Sequence, residues 1–239
     1  MGLTEPANKL PEDHARRVRE MFARISPRYD LLNHLLSGNI DKRWRRKVVR
    51  NLSPLLPENA VVLDVACGTG DLSIEIFEAK GSRVVGIDFC RPMLELAKKK
   101  TQAIPFVEGD ALHLPFADRS FDLVTIGFGL RNLSGTNAGL RELHRVLKPR
   151  GYAAVLEFSH PTVSGLRHVI AFYNARVLPR IGGWLSGSRS AYEYLPDSIS
   201  KFPNQQELAA LMRDVGFDNV RFENLTGGVA ALHMGQRAA

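Results

Sequence analysis

The chain has 239 residues, of which 44% are apolar and 24% charged, the make-up of a soluble globular domain with room for a sizeable core. No apolar run approaches the roughly 18 residues of a membrane span, the N-terminal MGLTEPANKLPEDHARR lacks the apolar centre of a signal peptide, and Cys67 and Cys90 do not resemble a disulfide framework or a metal site. The net charge of +7 fits a nucleic acid, an anionic membrane surface or no specific partner, and a cytoplasmic location is the simplest expectation.

Residues 12–52 read as helices. Phe22, Ile25 and Tyr29 fall at helical spacing with a break near Pro27, and Leu31, Leu32, Leu35 and Leu36 follow. In the basic stretch DKRWRRKVVR, Trp44, Val48 and Leu52 lie at i, i+4 and i+8. That pattern fits a solvated helix with Trp44 packed inward, or a membrane-facing or lid helix.

From residue 61 the pattern becomes strand, turn, helix. VVLDVA reads as a strand, DLSIEIFEAK as a helix, SRVVGID as a strand, and PMLELAKKK as a helix with proline in its first turn. IPFVEGD and FDLVTIGFG read as strands, TNAGLRELHRVLKPRG as a helix ended by Pro149 and Gly151, and YAAVLEF as a fifth strand. This alternation predicts a parallel sheet with helices on both faces. The rhythm stops after Phe158. Residues 159–203 carry many aromatics and read as a helical insertion over the strand ends. NQQELAALMRDVGF then reads as a helix, and VRFENLTGG and VAALHMGQR as a closing strand pair.

In an open α/β sheet the ligand lies beyond the carboxyl ends of the strands. Gly68 and Gly70 follow strand one, Asp88 ends strand two, Asp110 strand three, and Gly127 to Asn132 follow strand four. The first turn lacks the GxxxxGK[ST] of a phosphate loop. It also lacks the third glycine of a dinucleotide turn, which counts against a nicotinamide dehydrogenase. Asp71 at the helix start would repel a pyrophosphate. A carboxylate at position 88 can accept hydrogen bonds from both hydroxyls of a ribose. A ligand with ribose, adenine and a cationic amino-acid tail is S-adenosyl-L-methionine. Each of these residues alone is also compatible with an ordinary turn or helix cap; it is their occurrence in order at successive strand ends that selects the ligand.

DVACGTGD, GID, GDALHLPF, SFDLV and RVLKPRG resemble, in order, the core motifs of class I S-adenosylmethionine-dependent methyltransferases. FARISPRYDLLNHLLSGNIDKRWR, FGLRNL, AYEYLPDSISKFPNQQELAALMRDVGF and NLTGGVAALHMG narrow the resemblance to the menaquinone/ubiquinone biosynthesis C-methyltransferase family, over nearly the whole chain. The resemblance implies a Rossmann-like doubly wound sheet, mostly parallel with an antiparallel last strand pairing. It implies one domain, 1–239, made of an N-terminal helical lid (1–52), a cofactor-binding core (60–158), a substrate-side insertion (159–203) and a closing helix and strands (204–239). It also implies cofactor contacts from Asp64, Gly68, Thr69, Gly70, Asp88, Asp110 and Ala111. The family often has serine where this chain has Gly127, so Gly127 is kept as a backbone contact only, and Cys67 stands where many relatives have glycine.

The implied reaction is C-methylation of a reduced prenylated quinol, most simply demethylmenaquinol to menaquinol at the end of menaquinone biosynthesis. Benzoquinol methylation in the ubiquinone pathway, or both reactions, is the alternative. Arg131 and Asn132 are the candidate catalytic residues, Arg131 as a cation for the developing phenolate and Asn132 to orient a hydroxyl or water. The alternative for Arg131 is an ion pair with an acid such as Asp30. Tyr192 and Tyr194 are candidates for the quinol pocket. No metal is expected. A polyprenyl quinol resides in a bilayer, so the basic segment and the aromatic insertion are read as a contact with the anionic inner face of a membrane. A homodimer is a further expectation. A nucleic-acid methyltransferase fits poorly, because strand four ends in GFGLRN rather than an NPPY-type sequence and no Pro-Cys nucleophile is present.

Overall fold

A computed structural model describes residues 11–166, 170, 176 and 189–239. Seven strands form one sheet: β1 (Val61–Val65), β2 (Arg83–Asp88), β3 (Phe106–Glu108), β4 (Phe121–Gly127), β5 (Leu147–Phe158), β6 (Phe217–Leu225) and β7 (Ala230–Arg237). Their order is β3-β2-β1-β4-β5-β7-β6. The first five pair in parallel, and β7 runs antiparallel between β5 and β6. The sheet is therefore doubly wound, with its order reversing between β1 and β4, and the crevice beyond that switch point is where a ligand is expected.

Helices among the described residues include α1 (Pro11–Ile25), α2 (Tyr29–Ser37), α3 (Ile40–Leu52), α4 (Asp71–Lys80), α5 (Arg91–Lys100), α6 (Thr136–Val146), α7 (Arg189–Lys201) and α8 (Gln205–Val215). The break at Pro27 is a short 3-10 turn, Ser26–Arg28. α8 opens on a capping box in which the Asn204 side chain and Glu207 satisfy each other's backbone N–H groups.

Successive residues of β1 face opposite sides of the sheet. Val62 joins a core with Trp44, Val48 and Leu52 of α3 and Leu72 and Ile76 of α4. Leu63 and Val65 join a second core with Leu140 and Leu143 of α6 and Leu208 and Met212 of α8. α3 is thus a core helix. Trp44 is buried, its Nε1 donates to Thr226 Oγ1 at 2.9 Å, and its ring meets those of Phe128 and Phe158. Two of its basic residues are committed to acids: Arg45 to Asp41, Asp71 and Glu75, and Lys47 to Glu223.

One boundary moves. The helix expected over 136–151 stops at Val146, and Leu147 already pairs with Phe121 in the sheet. Lys148 precedes Pro149, whose ring disfavours helical geometry in the residue before it. The middle of the expected insertion, 167–169, 171–175 and 177–188, lies outside the described residues. Its end is α7.

Candidate active site

The turn after β1 is built from left-handed backbone. Ala66, Gly68 and Gly70 have φ of +51°, +56° and +81°. At Gly70 a Cβ would stand 2.8 Å from the Phe106 ring, so glycine is needed there for space as well as conformation. Asp88, at the end of β2, organises this turn. Its Oδ2 accepts from the Gly68 N–H and its Oδ1 from the Cys90 N–H, both at 2.8 Å. Burial pushes its carboxyl up to about 6, against the lowering effect of those backbone donors.

Above these strand ends lies a cavity of about 320 Å³. Gly68, Asp88, Asp110, Ala111, Gly127 and Asn132 all line it, drawn from the ends of four strands. α1 and the start of α2 close the other side with Arg19, Phe22 and Tyr29. The Arg19 guanidinium sits over the Phe89 ring, 5.4 Å from its centroid. Burial raises the Tyr29 hydroxyl above its ordinary value, opposed by its hydrogen bond to Asn33. Asp110 accepts from the Leu112 N–H at 2.8 Å, which shapes the turn after β3.

Asp64, Thr69, Gly70 and Arg131 are not among the cavity-lining residues. Asp64 lies below the turn and accepts from Ser73 Oγ at 2.5 Å and Thr125 Oγ1 at 2.7 Å, clipping β1, α4 and β4 together. Thr69 Oγ1 donates to Asp30 Oδ1 at 2.6 Å. Lys100 Nζ bridges Asp30 Oδ2 and Asp71 Oδ1, both at 2.6 Å. Two consequences follow from this cluster. Asp71 is neutralised by Lys100 and Arg45, so repulsion from its charge is not what excludes a pyrophosphate. And Asp30, one residue from the cavity-lining Tyr29, fastens the N-terminal helices to the glycine turn.

The turn after β4 has its own logic. Phe128 is left-handed at φ +57°, an uncommon conformation for a bulky residue. Its carbonyl accepts from Arg131 Nη1 at 2.6 Å and from Asn132 Nδ2 at 3.2 Å, and its N–H donates to the Leu156 carbonyl at 2.7 Å. At Gly129 a Cβ would come within 2.5 Å of the Ala66 Cβ. The FGLRN sequence thus holds a strained turn against the first one.

Arg131 pairs with Glu157, not Asp30. Its Nη1 lies 2.6 Å from Glu157 Oε1, and the side chains are 7% and 2% exposed. The guanidinium also stacks on the Phe158 ring at 5.3 Å. A cation already matched by a buried carboxylate is a poor free electrophile, so its direct contact with a phenolate is not supported by this placement. Asn132 does face the cavity. Its Oδ1 accepts from the Tyr194 hydroxyl of α7 at 3.0 Å, and its backbone carbonyl is 3.3 Å from His14 Nε2 of α1. Asn132 therefore joins α1, the β4 turn and α7 at one point. The Tyr192 side chain is outside the described residues.

Glu157 is the site residue most plainly signalled in the sequence beyond those expected: a charge directly after the apolar run Ala153–Leu156, at the ligand end of β5, needs a partner. Cys67 packs beside Gly86, and burial raises its thiol well above the ordinary value, consistent with an inert packing role. His144 and His233 lie elsewhere, the first edge-on to Phe217 and the second 2.8 Å from the Gln205 carbonyl.

The ubiE/COQ5 methyltransferase family model matches residues 10–237. A demethylmenaquinone methyltransferase of Thermus thermophilus is 49% identical over 222 residues, covering 91% of this chain and all of that one. A ubiquinone/menaquinone biosynthesis C-methyltransferase UbiE of Geotalea uraniireducens is 44% identical over 229 residues, 92% and 96% of the two chains. A crystal structure of an SAM-dependent methyltransferase from Thermotoga maritima shares the fold, with a TM-score of 0.66 at 19% identity over 92% of this chain and 99% of that one. With nearly its whole length matched, the chain belongs to the ubiE/COQ5 methyltransferase family.

Proposed function

We infer that this methyltransferase carries a methyl group from S-adenosyl-L-methionine to a ring carbon of a reduced, prenylated quinol, with demethylmenaquinol as the acceptor. The observation that carries the cofactor reading is Asp88. Both of its oxygens are fixed by backbone N–H groups at the cavity wall, and each keeps a lone pair for a ribose hydroxyl. The cavity of about 320 Å³ is at the lower end of the range for small-molecule sites and fits a nucleoside. Asp110 and Ala111, which line the same cavity, are assigned to the adenine end, and Gly68 and Gly127 to backbone contacts at close approach.

When bound, S-adenosyl-L-methionine supplies an already electrophilic methyl group. The chain's contribution is alignment, exclusion of water and control of the acceptor's hydroxyl. Phe22 and Tyr29 close the cavity from the lid side. Asn132, held by Tyr194 and the Phe128 carbonyl, orients the hydroxyl beside the reacting carbon or a water on it. Arg131 acts through the turn: bound to Glu157 and to the Phe128 carbonyl, it positions Asn132. Tyr194, which is not among the cavity-lining residues but bonds to Asn132, and Tyr192 on the same helix are kept as quinol-pocket residues.

The naphthoquinol reading is favoured over the benzoquinol one by the 49% identity to a demethylmenaquinone methyltransferase. Titration with S-adenosylhomocysteine tests the cofactor site. Asp88→Asn keeps the volume but not the charge, and is expected to weaken binding by at least about tenfold, from charged hydrogen bonds of roughly 1.5–3 kcal/mol each. Equal affinity in the variant would overturn the assignment.

A further inference from the structure

We propose that α2 is a membrane-docking element that seats the cavity mouth on an anionic bilayer; this rests on the prenylated-quinol reading above. Leu31 and Leu35 stand one helical turn apart on α2 and are 62% and 54% exposed. They are two of the five large apolar side chains exposed among the described residues, and the two share one short helix. The other side of α2 is engaged. Tyr29 lines the cavity, Asp30 is held by Thr69 and Lys100, and His34 and Ser37 bond to Asp41 of α3. The helix is thus anchored by its polar face with its leucines outward.

Position and charge select the occupant. α2 begins at cavity-lining Tyr29, so the helix that carries the leucines also walls the cavity that an apolar tail must leave when a ring is bound inside. α3 follows at once and exposes Arg43, Arg46 and Arg50 at i, i+3 and i+7, opposite its buried Trp44, Val48 and Leu52. Arg24 is exposed just before α2. The acids of this region, Asp30, Asp41, Asp71 and Glu75, are taken up by Lys100 and Arg45. An exposed apolar pair on α2 and exposed arginines on the adjoining α3, in a chain of net charge +7, complement anionic lipid headgroups over acyl chains. This differs from docking through α3 alone, whose apolar face is core.

The experiment combines co-sedimentation with turnover. The full chain is mixed with vesicles of phosphatidylcholine, with and without phosphatidylglycerol. Wild type is expected to bind only the anionic vesicles. Leu31→Ser/Leu35→Ser should lower the partition coefficient by about tenfold or more, and Arg43→Glu/Arg46→Glu should remove the preference for anionic lipid. The leucine variant should keep its S-adenosylhomocysteine affinity and its kcat/KM on a tail-truncated demethylmenaquinol, while losing kcat/KM on the long-tailed quinol in vesicles. Undiminished vesicle binding by the leucine variant would overturn the proposal. So would loss of a dimer in that variant by sedimentation equilibrium without loss of vesicle binding, which would make the patch a contact between copies. Leucine-dependent vesicle binding with no transfer to either quinol would uphold the docking surface and refute the substrate.

Discussion

Replacing Glu157 with leucine probes the turn after β4 directly. In the wild type, Glu157 and Arg131 form a pair whose side chains are 2% and 7% exposed. The variant leaves a guanidinium buried, with only the Phe128 carbonyl and the Phe158 ring for company. Removing one member of a buried pair costs about 3–5 kcal/mol, because the remaining charge has no solvent to return to. For a chain of this length each kcal/mol lowers Tm by roughly 2–4 °C, so the loss should be roughly 6–20 °C. Thermal unfolding followed by circular dichroism at fixed pH measures it. The double variant Arg131→Met/Glu157→Leu should recover most of the stability while staying low in kcat, since the clamp on Phe128 and Asn132 is gone. A single variant that loses no more than about 1 kcal/mol would show that the pair is hydrated or easily rearranged, and would refute the positioning role assigned to Arg131.

Further outcomes follow from the same geometry. Asp88 must be ionised to accept from both hydroxyls of a ribose, and its carboxyl is raised to about 6. Cofactor affinity should hold above that pH and fall by about tenfold per unit below it, with the break absent in Asp88→Asn; calorimetry across that range checks this. Asp30→Ala removes the partner of Thr69 and Lys100. Amides of α1 should then exchange faster, and S-adenosylhomocysteine should bind several-fold more weakly, with Asp30→Asn restoring part of both; unchanged exchange would mean that the lid is held elsewhere. Gly70→Ala adds a methyl at φ +81° and 2.8 Å from the Phe106 ring, and should cost about 1–3 kcal/mol in denaturant unfolding.

Much of this architecture is legible in the sequence because local signals agree with tertiary demands. The apolar run at 61–65, the glycines behind it and the helix at 71–80 each specify one step of the same strand-turn-helix unit. Trp44, Val48 and Leu52 announce a buried helix face, and Arg46 and Arg50 between them are exposed. What the sequence hides is long-range pairing. Arg131 and Glu157 are 26 positions apart, and nothing in either segment names the other. The same holds for Asp30 with Thr69, and for Tyr194 with Asn132. Asp71 shows the reverse error: an acid read as an isolated charge is in fact matched by Lys100 and Arg45. The helix expected to reach Gly151 ends early because sheet pairing at Leu147 and the proline at 149 outweigh the helical pattern before them.

The central claim is that this cavity methylates a quinol ring carbon, and the most direct measurement is transfer from methyl-labelled S-adenosyl-L-methionine. Chemically reduced demethylmenaquinol and a demethylated ubiquinol precursor would be offered in parallel to wild type and to Asn132→Leu, with the site of the label identified by mass spectrometry. Label is expected on a ring carbon of the naphthoquinol, with a loss in the variant that falls mainly on kcat while S-adenosylhomocysteine affinity is preserved. Label on neither quinol, by a protein that binds the cofactor, would contradict the claim.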